Sequence, residues 1–79
     1  MRARVYVTLK PAVLDPQGQV VQRSLHTLGY EEVAAVRIGK LIDIEVQATT
    51  QEEARARLEE MCERLLANTL IEDYRIEVA

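Results

Sequence analysis

The stretch Val33-Ala34-Ala35-Val36-Arg37-Ile38-Gly39-Lys40-Leu41-Ile42-Asp43-Ile44-Glu45-Val46-Gln47-Ala48 decides how this chain folds. Val36, Ile38, Ile42, Ile44 and Val46 share even parity, while Arg37, Leu41, Asp43 and Glu45 are odd. Successive side chains of a strand point to opposite faces, so this parity writes strand, buried on one side. Gly39-Lys40 interrupts the run as a turn would. A two-residue hairpin at 39–40 would set Arg37 beside Ile42 on one face and waste the core. A three-residue connection over 38–40 pairs Val36 with Ile42 and Ala34 with Ile44, and every apolar residue then shares a face. The favoured reading is two strands joined by a three-residue turn or a bulge. The remaining one is a single long bent strand.

Working outward, Ala3, Val5, Val7 and Leu9 alternate with Arg4, Tyr6 and Thr8, a half-buried strand that Lys10-Pro11 ends. Asp15-Pro16 starts a helix, an acidic N-cap followed by proline at the first helical position. Val21, Leu25 and Leu28 follow at helical spacing, with Val20 beside them, up to Gly29. Thr50-Gln51-Glu52-Glu53 is a capping box before Ala54, Leu58, Met61 and Leu65, a second helix over 51–67. Glu53–Arg57 and Glu60–Arg64 stand at i,i+4 in the favourable order, and Asn68 suits a C-cap. Tyr74, Ile76 and Val78 alternate with Asp73, Arg75 and Glu77 as a closing strand. The order β-α-β-β-α-β predicts a single domain over 1–79 of the α+β class. Its architecture is a ferredoxin-like two-layer sandwich, a four-stranded antiparallel sheet with two helices on one face. The expected core is Val5, Val7, Leu9, Val21, Leu25, Leu28, Val36, Ile42, Ile44, Leu58, Met61, Leu65, Ile76 and Val78.

A chain of 79 residues buries only roughly 60–65% of its unfolded surface, so its own core is marginal. Small domains compensate with disulfides, a metal or oligomerisation. The single cysteine, Cys62, forbids an internal disulfide, and with the single histidine, His26, it leaves too few soft ligands for structural zinc. Oligomerisation, to a homodimer or beyond, is the expected remedy. A net charge of −3 with interspersed signs leaves no footprint for nucleic acid or anionic lipid. No apolar run approaches a membrane span, no signal-peptide core follows Met1-Arg2-Ala3-Arg4, and a cytoplasmic setting is expected. Catalysis is constrained too. With no Trp or Phe, three Tyr, and three scattered glycines (Gly18, Gly29, Gly39), the chain lacks pocket walls and a phosphate-cradling loop.

Each chemically suggestive residue has a plainer reading. Cys62 follows Met61 near the buried stripe of its helix, with the only histidine on the other helix. His26 flanks the apolar stripe of the first helix, a boundary or interface position. Asp15 is explained by capping. Glu52, Glu53, Glu59, Glu60 and Glu63 spread around a helix among basic partners, which describes a solvated face rather than a metal cluster. The open sheet face would carry Arg4, Tyr6, Thr8, Arg37, Leu41, Asp43, Glu45, Asp73, Arg75 and Glu77, either an interface or a merely solvated surface. Arg37-Ile38-Gly39-Lys40 sets two cations around a glycine, so Arg37, Gly39 and Lys40 are the candidate partner-binding residues; the alternative is a charged hairpin tip. ACT-type ligand-binding modules, which share this topology, would read much the same.

Lys10-Pro11-Ala12-Val13-Leu14-Asp15-Pro16-Gln17-Gly18, Val36-Arg37-Ile38-Gly39-Lys40 and Cys62-Glu63-Arg64-Leu65-Leu66-Ala67-Asn68-Thr69-Leu70-Ile71-Glu72-Asp73-Tyr74 resemble the PurS family. That family is the small subunit of phosphoribosylformylglycinamidine (FGAM) synthase in de novo purine biosynthesis. The resemblance implies a three-part ligase complex. A glutaminase subunit releases ammonia, a large synthetase subunit uses ATP and magnesium to install it, and the small subunit binds both as a homodimer or higher oligomer. It implies no catalytic residue, cofactor or metal on this chain, only help in ammonia transfer. The runner-up is a stand-alone ACT-like regulatory module.

Overall fold

Alternation and capping shape five elements in the computed structural model, which describes residues Met1–Ala79. They are β1 (Arg2–Leu9), α1 (Pro16–Thr27), β2 (Gly39–Glu45), α2 (Gln51–Met61), which continues as a π-helical turn over Cys62–Leu66, and β3 (Glu72–Val78). The sheet is antiparallel in the order β2-β1-β3. Val5 stands opposite Ile42 on one side and Ile76 on the other; Ala3 likewise faces Ile44 and Val78. Even-parity residues of β2 therefore share the buried face with β1, while Leu41, opposite Tyr6, is 50% exposed.

The sheet has three strands, not the expected four, and the ferredoxin-like sandwich does not form within one chain. Val33–Ile38 is extended but lies outside the sheet. No turn reverses the chain at Gly39-Lys40, so residues 33–45 run on as a single long bent segment. Gly39 is required for a different reason from turning. A Cβ there would sit 2.7 Å from the Val7 carbonyl oxygen and 2.9 Å from Thr8 Cγ2, where the segment crosses onto β1. The one glycine with a left-handed backbone is Gly29, at φ 102° just past α1, as a helix stop requires.

The helices do not share one face either, because α1 stands off the sheet. The molecule measures 50 × 25 × 14 Å with a radius of gyration of 15.9 Å, against about 12 Å for a compact chain of this length. The core lies between the sheet and α2: Ala3, Val5, Val7, Val46, Leu58, Cys62, Ala67 and Ile76, with Ile42, Ile44, Met61, Tyr74 and Val78 packed beside them. Ala54 is also buried. Val21 and Leu28, expected in the core, are exposed on the detached α1, and Leu25 is only half-buried there. Leu65 is 83% exposed, because the π turn inserts a residue and rotates the helix end. Ala67 N donates to Cys62 O at 3.1 Å, the i→i+5 bond of that turn, and Ala67 takes the core position. No helix is long and apolar enough to cross a membrane.

Candidate functional site

What α1 does is set by Asp15. Its Oδ1 accepts from Gly18 N at 2.9 Å as an N-cap, and its Oδ2 accepts from Ile38 N at 2.7 Å. A single carboxylate thus caps the helix and staples the extended segment to it. The carboxylate is 4% exposed, yet the N–H groups of Ile38 and Gly18 and the nearby Arg37 guanidinium hold its pKa below the usual aspartate value. Gly18 is buried, and a Cβ on it would overlap the Val36 carbonyl oxygen. One and two turns on, Gln22 Nε2 donates to Ala34 O at 3.0 Å and His26 Nε2 donates to Val33 O at 2.7 Å. Residues 15, 18, 22 and 26 line one helix face, and along it Val33–Ile38 is laid as a rail.

With that polar face spent on the rail, the apolar stripe of α1 turns outward. Val20 is 55% exposed and Leu28 73%, and Leu14, Val21 and Tyr30 are exposed nearby. A cleft of about 430 Å³ opens between Pro16, Gln17, Val20, Val21 and Ile38. The backbone N–H groups of Ala34 to Arg37 have no acceptor within the chain. The arm thus leaves an apolar stripe and a row of backbone donors uncovered, the features that invite association.

The three residues expected to meet partners fare differently. The Arg37 guanidinium donates through Nη2 to Lys10 O at 2.9 Å and Val13 O at 3.0 Å, tying down the β1–α1 connection. Gly39 serves the backbone crossing described above. Lys40 is exposed, with no carboxylate within salt-bridge distance and no hydrogen bond from its ammonium.

On the open sheet face several charges are paired. Arg4 Nε meets Asp43 at 3.2 Å, Tyr6 Oη donates to Glu77 at 3.2 Å, and Arg75 bridges Glu77 at 2.8 Å while lying 4.2 Å over the Tyr6 ring. Lys10 pairs with Asp73 at 2.7 Å. The hydrogen bonds from Arg75 and Tyr6 lower the Glu77 pKa.

Nothing nucleophilic is poised. Cys62 is fully buried, and burial, with Glu63 and Glu59 nearby, pushes its thiol pKa up, away from the reactive thiolate. Glu63 beside the Tyr74 hydroxyl pushes that phenol up to about 12. Of the helix carboxylates, Glu60 pairs with Arg57 at 2.9 Å, and Glu53 accepts from Thr49 N and Oγ1 at 3.2 and 2.7 Å. The capping box is thus offset by one residue. Thr50 Oγ1 still accepts from Glu53 N at 3.1 Å, but Glu53 reaches back to Thr49. Sequence reasoning missed Gln22, although Asp15, Gly18, Gln22 and His26 recur at helical spacing opposite the apolar stripe and spell a second, polar seam.

The PurS family model, described as phosphoribosylformylglycinamidine (FGAM) synthase, matches residues 2–79. This chain belongs to the PurS family. It is 51% identical over 77 residues to phosphoribosylformylglycinamidine synthase subunit PurS of Bacillus subtilis, covering 98% of this chain and 90% of that one. The solved PurS of the same organism superposes with a TM-score of 0.86 at 50% identity, covering 99% and 96% of the two chains. PurS of Methanocaldococcus jannaschii, one of the subunits of formylglycinamide ribonucleotide amidotransferase in purine biosynthesis, gives 0.89 at 42% identity over 99% and 94%. A chain of the PurLQS structure of Thermotoga maritima gives 0.88 at 32% identity over 96% and 93%. The ACT-type alternative loses its ground, since the PurS match is full length and the sheet has three strands with α1 detached.

Proposed function

We propose that this chain is a non-catalytic, self-associating bridge of FGAM synthase that holds a glutaminase subunit and an ATP-dependent synthetase subunit in register while ammonia passes between them. Family membership makes it a subunit of that synthase, in purine biosynthesis. The observation that carries the bridging role is the α1 arm. Its internal hydrogen bonds stiffen it, while its apolar stripe and strand edge are left uncovered. A stiff element with a bare surface positions other proteins rather than transforming a ligand.

The chemistry favours such a part. Ammonia released into water is lost to protonation and diffusion, so two active sites must be kept aligned with water excluded. A rigid small subunit supplies alignment with no reacting group of its own, and a buried, unactivated Cys62 and a His26 committed to Val33 O fit that division of labour. ATP and magnesium, on this reading, belong to the synthetase, and the complex works in the cytoplasm. Self-association, to a homodimer or beyond, covers the arm, and Lys40 is the free cation best placed to meet a partner. Tagged chain should retain the large synthetase and glutaminase subunits through affinity purification. Recovery of neither would contradict the bridge.

A further inference from the structure

The π turn at the end of α2 does something the core does not need. Ala54, Leu58 and Cys62 step at i,i+4 into the core, and a plain α-helix would carry one of the next leucines in behind them. Instead the Cys62–Leu66 turn buries Ala67, half-buries Leu66 and holds Leu65 83% exposed. A large aliphatic side chain is held in water while alanine fills the core, and π turns of this kind recur at functional sites.

Leu65 does not stand alone. With Arg57, Glu60, Met61, Arg64 and Leu66 it lines a groove of about 310 Å³. Arg57 is held by Glu60 at 2.9 Å, whereas the exposed Arg64 has no carboxylate within salt-bridge distance. The groove thus has an aliphatic wall, an adaptable methionine floor and an uncompensated guanidinium at its rim. A second copy of the chain suits it poorly, since antiparallel pairing of α2 about Met61 would set Arg64 of each copy near Arg57 of the other.

We propose that this groove is a docking site, separate from the α1 arm, for a segment of a partner subunit that presents an apolar side chain flanked by a carboxylate. The segment's apolar group packs on Leu65, Met61 and Leu66, and its carboxylate engages Arg64. The proposal rests on the bridging role above and assigns it a second surface, because a bridge needs two.

Leu65→Glu and Arg64→Gln test it, titrated into a mixture of the large synthetase and glutaminase subunits while glutamine-dependent synthesis is followed. Both substitutions lie on exposed positions, so circular dichroism and sedimentation should match the unaltered chain. The concentration giving half-maximal activity should rise at least about tenfold for Leu65→Glu, the size of one interface anchor lost. Arg64→Gln should also raise it and flatten its dependence on salt. Unchanged half-maximal concentrations for both variants would overturn the groove as a docking site, and so would loss of self-association in Leu65→Glu, which would make the groove a contact between copies. If Leu65→Glu unfolds, the milder Arg64→Gln and its salt dependence decide alone. Failure of the unaltered chain to support synthesis would strike the bridging role instead.

Discussion

Asp15 shows how much one side chain can govern. Its two oxygens serve Gly18 N and Ile38 N, so removing the carboxylate uncaps α1 and releases the Ile38 end of the rail together. Its pKa is lowered in the fold. A carboxylate of this kind contributes stability above its unfolded pKa near 4, and that stability drains away as pH falls through the lower, folded value. Melting temperature followed from pH 7 to pH 2.5 should therefore fall steeply below about pH 4 for the natural chain. Asp15→Asn should melt several degrees lower at neutral pH and show a shallower acid limb; parallel curves would deny Asp15 this role. Its capping half was legible in Asp15-Pro16, because N-caps are written within a turn of the helix they start. The bond to Ile38 spans 23 positions, and no local pattern encodes it. Arg37 was only partly legible for the same reason. Its charge is visible in sequence, whereas the carbonyls of Lys10 and Val13 that occupy it are set by the tertiary fold.

At the level of elements, parity proved a reliable guide to faces and a poor one to partners. Ile42 and Ile44 lie on the core side and Leu41 outside, as alternation dictates. Yet Gly39 reads the same whether the backbone turns there or only passes close to β1, and that ambiguity hid the missing fourth strand. Helical spacing likewise placed Leu58 and Leu65 on one stripe, since a π turn leaves no mark in the pattern that precedes it. These two leucines now differ sharply. Leu58 is fully buried, and Leu58→Ala should cost about 2–5 kcal/mol. Leu65→Ala should stay within about 0.5 kcal/mol in the isolated chain, as surface substitutions do. Chemical denaturation measures both, and equal losses would put Leu65 back in the core.

The whole molecule is longer and thinner than its length requires. With α1 outside the core, the proposed self-association would cover the arm, and stability should then rise with concentration as association proceeds. Sedimentation at micromolar concentration should find a dimer or larger species, and Val21→Glu, which puts a charge on the exposed stripe, should shift it towards monomer. A natural chain that stays monomeric would remove the arm as a self-association surface. On the proposed reading this chain aligns the active sites of its partner subunits and contributes no reacting group. The most direct measurement is synthesis of the amidine by the large synthetase and glutaminase subunits, with and without this chain, fed either glutamine or high ammonia. Omitting the chain should abolish the glutamine-driven rate and spare part of the ammonia-driven one, whereas equal glutamine-driven rates in its absence would deny the chain this role.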